Sequence, residues 1–150
     1  MMFPSRLRQL TMVVPAAVLV AGTLAAGAPT AFADDDPVVG PPLHNVKYTV
    51  WSEQPFRNAQ IYYADVDPPN FAEYSHNPFQ FSPSANFDTG PNRMWTQDVQ
   101  LANPDEWAMV VVSSLDSPHQ PNFHCVLAVD GKVVKSNDGP KGAICTIRNV

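Results

Sequence analysis

Phe123-His-Cys-Val-Leu-Ala-Val-Asp-Gly-Lys-Val-Val-Lys-Ser136, followed after a polar loop by Ala143-Ile-Cys-Thr-Ile147, decides how the rest of the chain is read. Asp130-Gly131 sits between two β-branched runs. That is the signature of a tight hairpin, because a type I′ turn needs positive φ at both central residues. With these two as the turn, Val129 faces Lys132, Leu127 faces Val134 and Cys125 faces Ser136. Cys145 is then not Cys125's neighbour in the hairpin. A Cys125–Cys145 bond ties the hairpin to a following strand. The stretch speaks of architecture and names no reaction.

The N-terminus bounds the compartment. Arg6 and Arg8 precede an apolar run from Leu10 to about Ala28, and Ala31-Phe-Ala33 leads directly into Asp34-Asp-Asp36. A basic start, an apolar middle and an Ala-x-Ala site predict a secretory signal peptide over 1–33, cleaved near Ala33-Asp34. The protein is then secreted or held in the cell envelope. The alternative is a retained N-terminal membrane anchor, since about 20 apolar residues span a bilayer. Arg6-Leu-Arg8 is not a twin-arginine pair, and no cysteine near the cleavage site offers a lipoprotein anchor.

Cleavage would remove two of the 9 basic residues and none of the 14 acidic ones, leaving 7 − 14 = −7. That charge, without a basic patch, makes nucleic acid and anionic lipid poor partners, and no nucleic acid is expected. Both cysteines lie in the exported part, and an even count in an oxidising compartment predicts a disulfide. The closed loop of about 20 residues is valued near 3 kcal/mol by the chain-entropy argument. No Cys-x-x-Cys is present to suggest redox or metal chemistry.

Along the mature chain, 34–45 is acidic and proline-rich and is expected to be a disordered leader before a domain over 46–150. Val46–Ser52 alternates, with Val46, Tyr48 and Val50 on one face and Lys47, Thr49 and Trp51 on the other. Asn58–Asp65 reads as a second strand, ended by Asp67-Pro-Pro-Asn70. Phe71–Phe87 is irregular, with Phe71, Tyr74, Phe79, Phe81 and Phe87 among prolines and asparagines, and short strand pieces are expected around Gln80–Ser82. It is either a lid laid over a sheet or a binding surface. Asp88–Asn92 reads as a turn. Arg93–Leu101 follows as a strand with Trp95, Val99 and Leu101 on one face and Gln97 interrupting. Trp107–Ser114 is apolar on both faces, which predicts a central strand covered on both sides. Asn122–Val129 with Lys132–Ser136 forms the hairpin, and Ala143–Asn149 is the last strand. About seven short strands, no helix-long apolar period and thirteen prolines after residue 33 predict an all-β fold. It is an antiparallel β-sandwich of immunoglobulin-like type with one disulfide, or alternatively a small β-barrel.

Val46-Lys-Tyr-Thr-Val-Trp51, Ile61-Tyr-Tyr-Ala-Asp-Val-Asp67 and Cys125-x4-Asp130-Gly131-x-Val133 with Ala143-x-Cys145 resemble the soluble domain of the mycobacterial MmpS proteins. The likeness follows most of 46–150 in element order. It implies a β-sandwich in the cell envelope, accessory to large RND-type exporters of lipids and siderophores. The chain reads as a divergent member: its N-terminus looks cleavable where the family keeps an anchor, and its middle is longer and richer in proline and phenylalanine.

Chemistry is sparsely signalled. His44, His76, His119 and His124 show no metal-ligand spacing, and no Gly-x-Ser-x-Gly elbow occurs. His124, beside Cys125 on a strand, is expected on the face opposite the disulfide. Asp65-x-Asp67 and Asp34-Asp-Asp36 lack the further oxygen ligands and glycine of a calcium loop. Glu53, Glu73, Asp105 and Glu106 do not form a recognisable glycosidase pair. Trp51, Trp95 and Trp107 are expected to pack on the sheets, or to offer a flat platform for a glycan or lipid. The expectation is a non-catalytic binding or accessory module without cofactor or metal. Its partner is an envelope lipid or a membrane transport protein, and its candidate binding residues are Trp51, Phe79, Phe81 and Phe87. A secreted hydrolase with a scattered active site and a surface structural protein are the alternatives.

Overall fold

The computed structural model describes residues 40–148, so the signal-peptide expectation and residues 34–39 of the leader lie outside the described residues. The strands are β1 (His44–Ser52), β2 (Phe56–Tyr63), β3 (Ser84–Thr89), β4 (Trp95–Leu101), β5 (Met109–Ser113), β6 (Phe123–Val129), β7 (Lys132–Gly139) and β8 (Gly142–Thr146). Three short helices intervene: α1 (Phe71–His76), α2 (Pro78–Phe81) and α3 (Pro104–Trp107). The strands form two four-stranded antiparallel sheets, β4-β1-β6-β7 and β3-β2-β5-β8. The expected β-sandwich is what the chain forms, with open sheet edges rather than a closed barrel.

The core lies between the sheets and follows the period-2 pattern. Val46, Tyr48 and Val50 point inward from β1, Ala59 and Ile61 from β2, Val110 and Val112 from β5, and Phe123, Cys125 and Leu127 from β6. Tyr48 is fully buried, and its hydroxyl donates to the Ala64 carbonyl oxygen at 2.8 Å. Burial pushes that phenol above its ordinary pKa. The Cys125–Cys145 disulfide spans a Cα–Cα distance of 6.0 Å. Cys125 lies in one sheet and Cys145 in the other, so the bond crosses the core.

Asp130 and Gly131 have φ of 50° and 80°, as the tight turn requires. The hairpin register holds only at its tip. Val129 faces Lys132, but a bulge between Leu127 and Ala128 then slips the pairing by one residue. Leu127 faces Lys135 rather than Val134, and Cys125 faces Asn137 rather than Ser136. A bulge adds one residue to one strand, and every pair beyond it shifts. The Asn137 side chain then donates to the Ile144 carbonyl oxygen at 3.1 Å, holding β7 against β8.

Other boundaries also moved. β1 begins at His44, two residues inside the expected leader, because Asp130 fastens it. The Asp130 carboxylate accepts from the Asn45 backbone N–H at 2.9 Å and lies 2.7 Å from the His44 ring nitrogen Nδ1. β3 falls where irregular chain and a turn were expected, which makes eight strands. Gln80 and Phe81 are helical rather than strand pieces. Trp107 closes α3, so β5 starts two residues later, at Met109.

Candidate functional site

The outer face of the β3-β2-β5-β8 sheet carries apolar side chains where a solvated face would be polar. Tyr62, Val111 and Ile144 lie side by side across β2, β5 and β8. The residues between β2 and β3 fold back over this face. Asn70 caps α1, its side-chain oxygen accepting from the Glu73 N–H at 2.9 Å. Pro78 opens α2, where a missing N–H costs nothing. Three backbone bonds fasten the ends of this flap: Ala64 N–H to Met109 O at 2.9 Å, Asp65 N–H to Phe81 O at 2.9 Å, and Tyr63 N–H to Pro83 O at 3.3 Å. α1 buries none of its residues, so the flap rests on its aromatic rings.

Those rings line an open-sided cavity of about 360 Å³, at the small end of the range typical of ligand pockets. Met109 and Ile144 form its floor, Val66 and Pro68 one wall, and Phe71, Tyr74, Phe81 and Trp107 its aromatic lining. Tyr74 packs on Trp107 with ring centroids 5.5 Å apart and on Phe71 at 6.3 Å. Glu106 and Arg148 supply charge at the border. The Arg148 guanidinium lies 5.4 Å from the centre of the Phe71 ring, within cation–π range. Ser82 also borders the cavity. It is only 5 % exposed, and its hydroxyl has no hydrogen-bond partner among the described residues. An unpaired buried hydroxyl costs about 1–3 kcal/mol.

Asp67 supports this region. Its two carboxylate oxygens accept from the backbone N–H groups of Ala102 and Asn103 at 2.7 and 2.8 Å. The carboxylate thus fastens the flap's first segment to the approach of α3. Both of its oxygens are engaged by backbone donors, which gives the Asp67 carboxylate a structural part here.

The four candidate binding residues fall in different places. Phe81 is 8 % exposed and borders the cavity. Phe79 is 66 % exposed and leans on Tyr62 outside it. Phe87 packs against the core from β3, with the Arg93 guanidinium 5.6 Å from its ring centre. Trp51 lies on the other sheet, stacked on His124 at 5.0 Å with the rings 7° from parallel. The sequence reading did not single out Met109, Ile144 or Arg148, nor Trp107 for this cavity. The available signal was the β5 run, whose apolar outer positions required a cover.

Around Trp51 a second polar cluster forms. The Glu53 carboxylate accepts from the Asn122 side-chain amide at 3.1 Å and lies 2.9 Å from His124 Nε2. These bonds, Asn122 first and then His124, hold the Glu53 carboxyl below its usual range. His124 stands on the face opposite the disulfide, as alternation predicts. Neither His76 nor His119 hydrogen-bonds a serine hydroxyl through its ring among the described residues.

A disulfide-bonded sandwich with one outer face roofed over a small apolar cavity defines a class of protein. Within it, the chain belongs to the family of the Rv2576c β-sandwich domain, which matches residues 48–145. It is 34 % identical over 138 residues to the uncharacterized protein Rv2576c of Mycobacterium tuberculosis, covering 90 % of this chain and 86 % of that one. The uncharacterized protein Mb2606c of Mycobacterium bovis is similar to the same extent.

Proposed function

We propose that this chain is an exported, non-catalytic binding module of the cell envelope that takes an apolar ligand into the cavity beneath α1 and α2. The observation that carries this reading is the cavity itself: aliphatic floor, aromatic lining, and a flap held by its ends. Pockets of this kind are the default binding sites of small domains. The ligand is an envelope lipid, and the resemblance to MmpS soluble domains supports a membrane transport protein as the partner that delivers or receives it. Export rests on the basic start, apolar run and Ala-x-Ala site. The lining sets no histidine beside the Ser82 or Thr146 hydroxyl and holds a single carboxyl, Glu106, which supports binding over turnover.

Titration with Nile red, an uncharged apolar dye, tests the cavity. Saturable binding is expected in the unmodified protein, together with its loss in Ile144→Trp, where an indole fills the space from the floor. Ile144 is on a solvent-side strand position, so that variant keeps the fold. Binding undiminished by Ile144→Trp would remove the cavity as the site.

A further inference from the structure

We infer that the cavity's ligand is a single-chain aliphatic amphiphile whose head carries one negative charge, held at the mouth by Arg148. The inference rests on the reading of the cavity as a ligand site and names the chemistry that site selects. Three observations carry it.

The first is size. At about 30 Å³ per water-sized group, 360 Å³ accommodates about a dozen methylene-sized groups. That is one medium-length chain, not the two chains of a diacyl lipid.

The second is the state of Arg148. A guanidinium presents five N–H donors in a planar fork matched to carboxylate or phosphate oxygens. Among the described residues, no carboxylate lies within salt-bridge distance of it, and no side-chain hydrogen bond uses it. The Phe71 ring positions it instead, at 5.4 Å. The group thus stands at the border of an apolar cavity, and no described residue takes up its donors. The acidic chain, at −5 overall, repels anions at long range. Selection of an anionic head must therefore come from a local cation, and Arg148 is the cation bordering this cavity.

The third is Glu106, the other charged residue at the border. Its carboxylate disfavours a second negative charge on the head. It leaves a monoanion, either a carboxylate or a phosphodiester, as the head that the border accepts.

The test compares three amphiphiles of one chain length, dodecanoate, dodecanol and dodecyltrimethylammonium, by calorimetric titration of the full exported chain below their micelle concentrations. Dodecanoate is expected to bind about tenfold tighter than dodecanol. Arg148→Gln should bring the two within about twofold, and Arg148→Lys should restore part of the preference. Equal affinity for dodecanoate and dodecanol in the unmodified protein would overturn the inference. So would a preference for the trimethylammonium head, or a preference that survives Arg148→Gln. Binding of Nile red and dodecanol without that preference would defeat the inference alone. Binding of none of the probes would defeat the cavity reading beneath it. Titration with lysophosphatidylglycerol, a single-chain phosphodiester, set against dodecanoate separates the two sources of such a head. Tighter binding of the lysophospholipid assigns a lipid headgroup, and tighter binding of dodecanoate assigns a free fatty acid.

Discussion

The two outer faces of this sandwich differ, although the same alternation builds both. On the β4-β1-β6-β7 sheet, Lys47 faces Asp98 and Thr49 faces Thr96, and no helix covers them. On the β3-β2-β5-β8 sheet, Tyr62, Val111 and Ile144 make an apolar row, and the chain from Ala64 to Pro83 folds back to cover it. The uncovered face mixes those polar side chains with Ala128, Val126 and Val133 of β6 and β7. An apolar face of this extent is uncommon on a monomer unless it binds something. Here the roof is incomplete by one small cavity, and the flap that makes it buries nothing from its first helix. The difference separates a part of the molecule that packs the core from a part that leaves an apolar cavity beside the flap.

That separation is open to attack. The largest effect is expected in the sealed space between the sheets. Phe123 is fully buried and meets Phe56 edge-on at 5.5 Å, so Phe123→Ala should cost about 3–5 kcal/mol in urea unfolding. Ile144→Trp, on the covered outer face, should change stability by less than about 0.5 kcal/mol. Similar losses in both would erase the distinction.

Reducing Cys125–Cys145 comes next, at about 3 kcal/mol for its 20-residue separation. An unchanged melting temperature with both thiols confirmed free would show that the two sheets need no covalent tie. Ser82→Ala is expected to run the other way. Removing an unpaired buried hydroxyl should raise stability by about 1 kcal/mol, seen as a higher urea midpoint. A loss instead would mean that the hydroxyl is satisfied within the fold.

The smallest effect concerns the uncovered side. Asp130 is held below its usual carboxyl range, first by His44 and then by the Asn45 N–H, and Glu53 by Asn122 and His124. A carboxyl with a depressed folded pKa contributes stability that is complete above its unfolded value, about 4. That contribution is lost as pH falls through the lower folded value. Melting temperature should therefore fall more steeply below pH 4 in the unmodified protein than in Asp130→Asn. Both groups are exposed, so the difference should be small. Parallel pH profiles would show that neither clamp matters to the fold.

Much of the sandwich was legible. Val46, Tyr48 and Val50 alternate cleanly because β1 is central and has one buried face. Asp130-Gly131 marks its turn because few residue pairs tolerate two positive φ values. The bulge at Leu127–Ala128 left no mark, since either register keeps β-branched residues in the strand. β3 was missed because Ser84-Ala-Asn-Phe-Asp-Thr89 is an edge strand of mostly small and polar residues. α1 and α2 were missed because six and four residues are too short to display a helical period. The cavity itself lies at the meeting of β5, β8, α3 and the flap, and no local pattern encodes that convergence. The double-sided apolar run at Met109–Val112 gave its one trace, as a demand for cover on both sides.

The cross-core disulfide has a consequence for how the molecule yields to trimming. β8 is an edge strand, of the sort that ordinarily peels first and feeds an exopeptidase working inward from the carboxyl side. With Cys145 bonded into the opposite sheet, trimming should stall close to that residue and leave the sandwich closed. Arg148, however, lies beyond the stall point. Loss of Arg148 would remove the guanidinium that we propose selects the head, while the disulfide between the sheets stays whole.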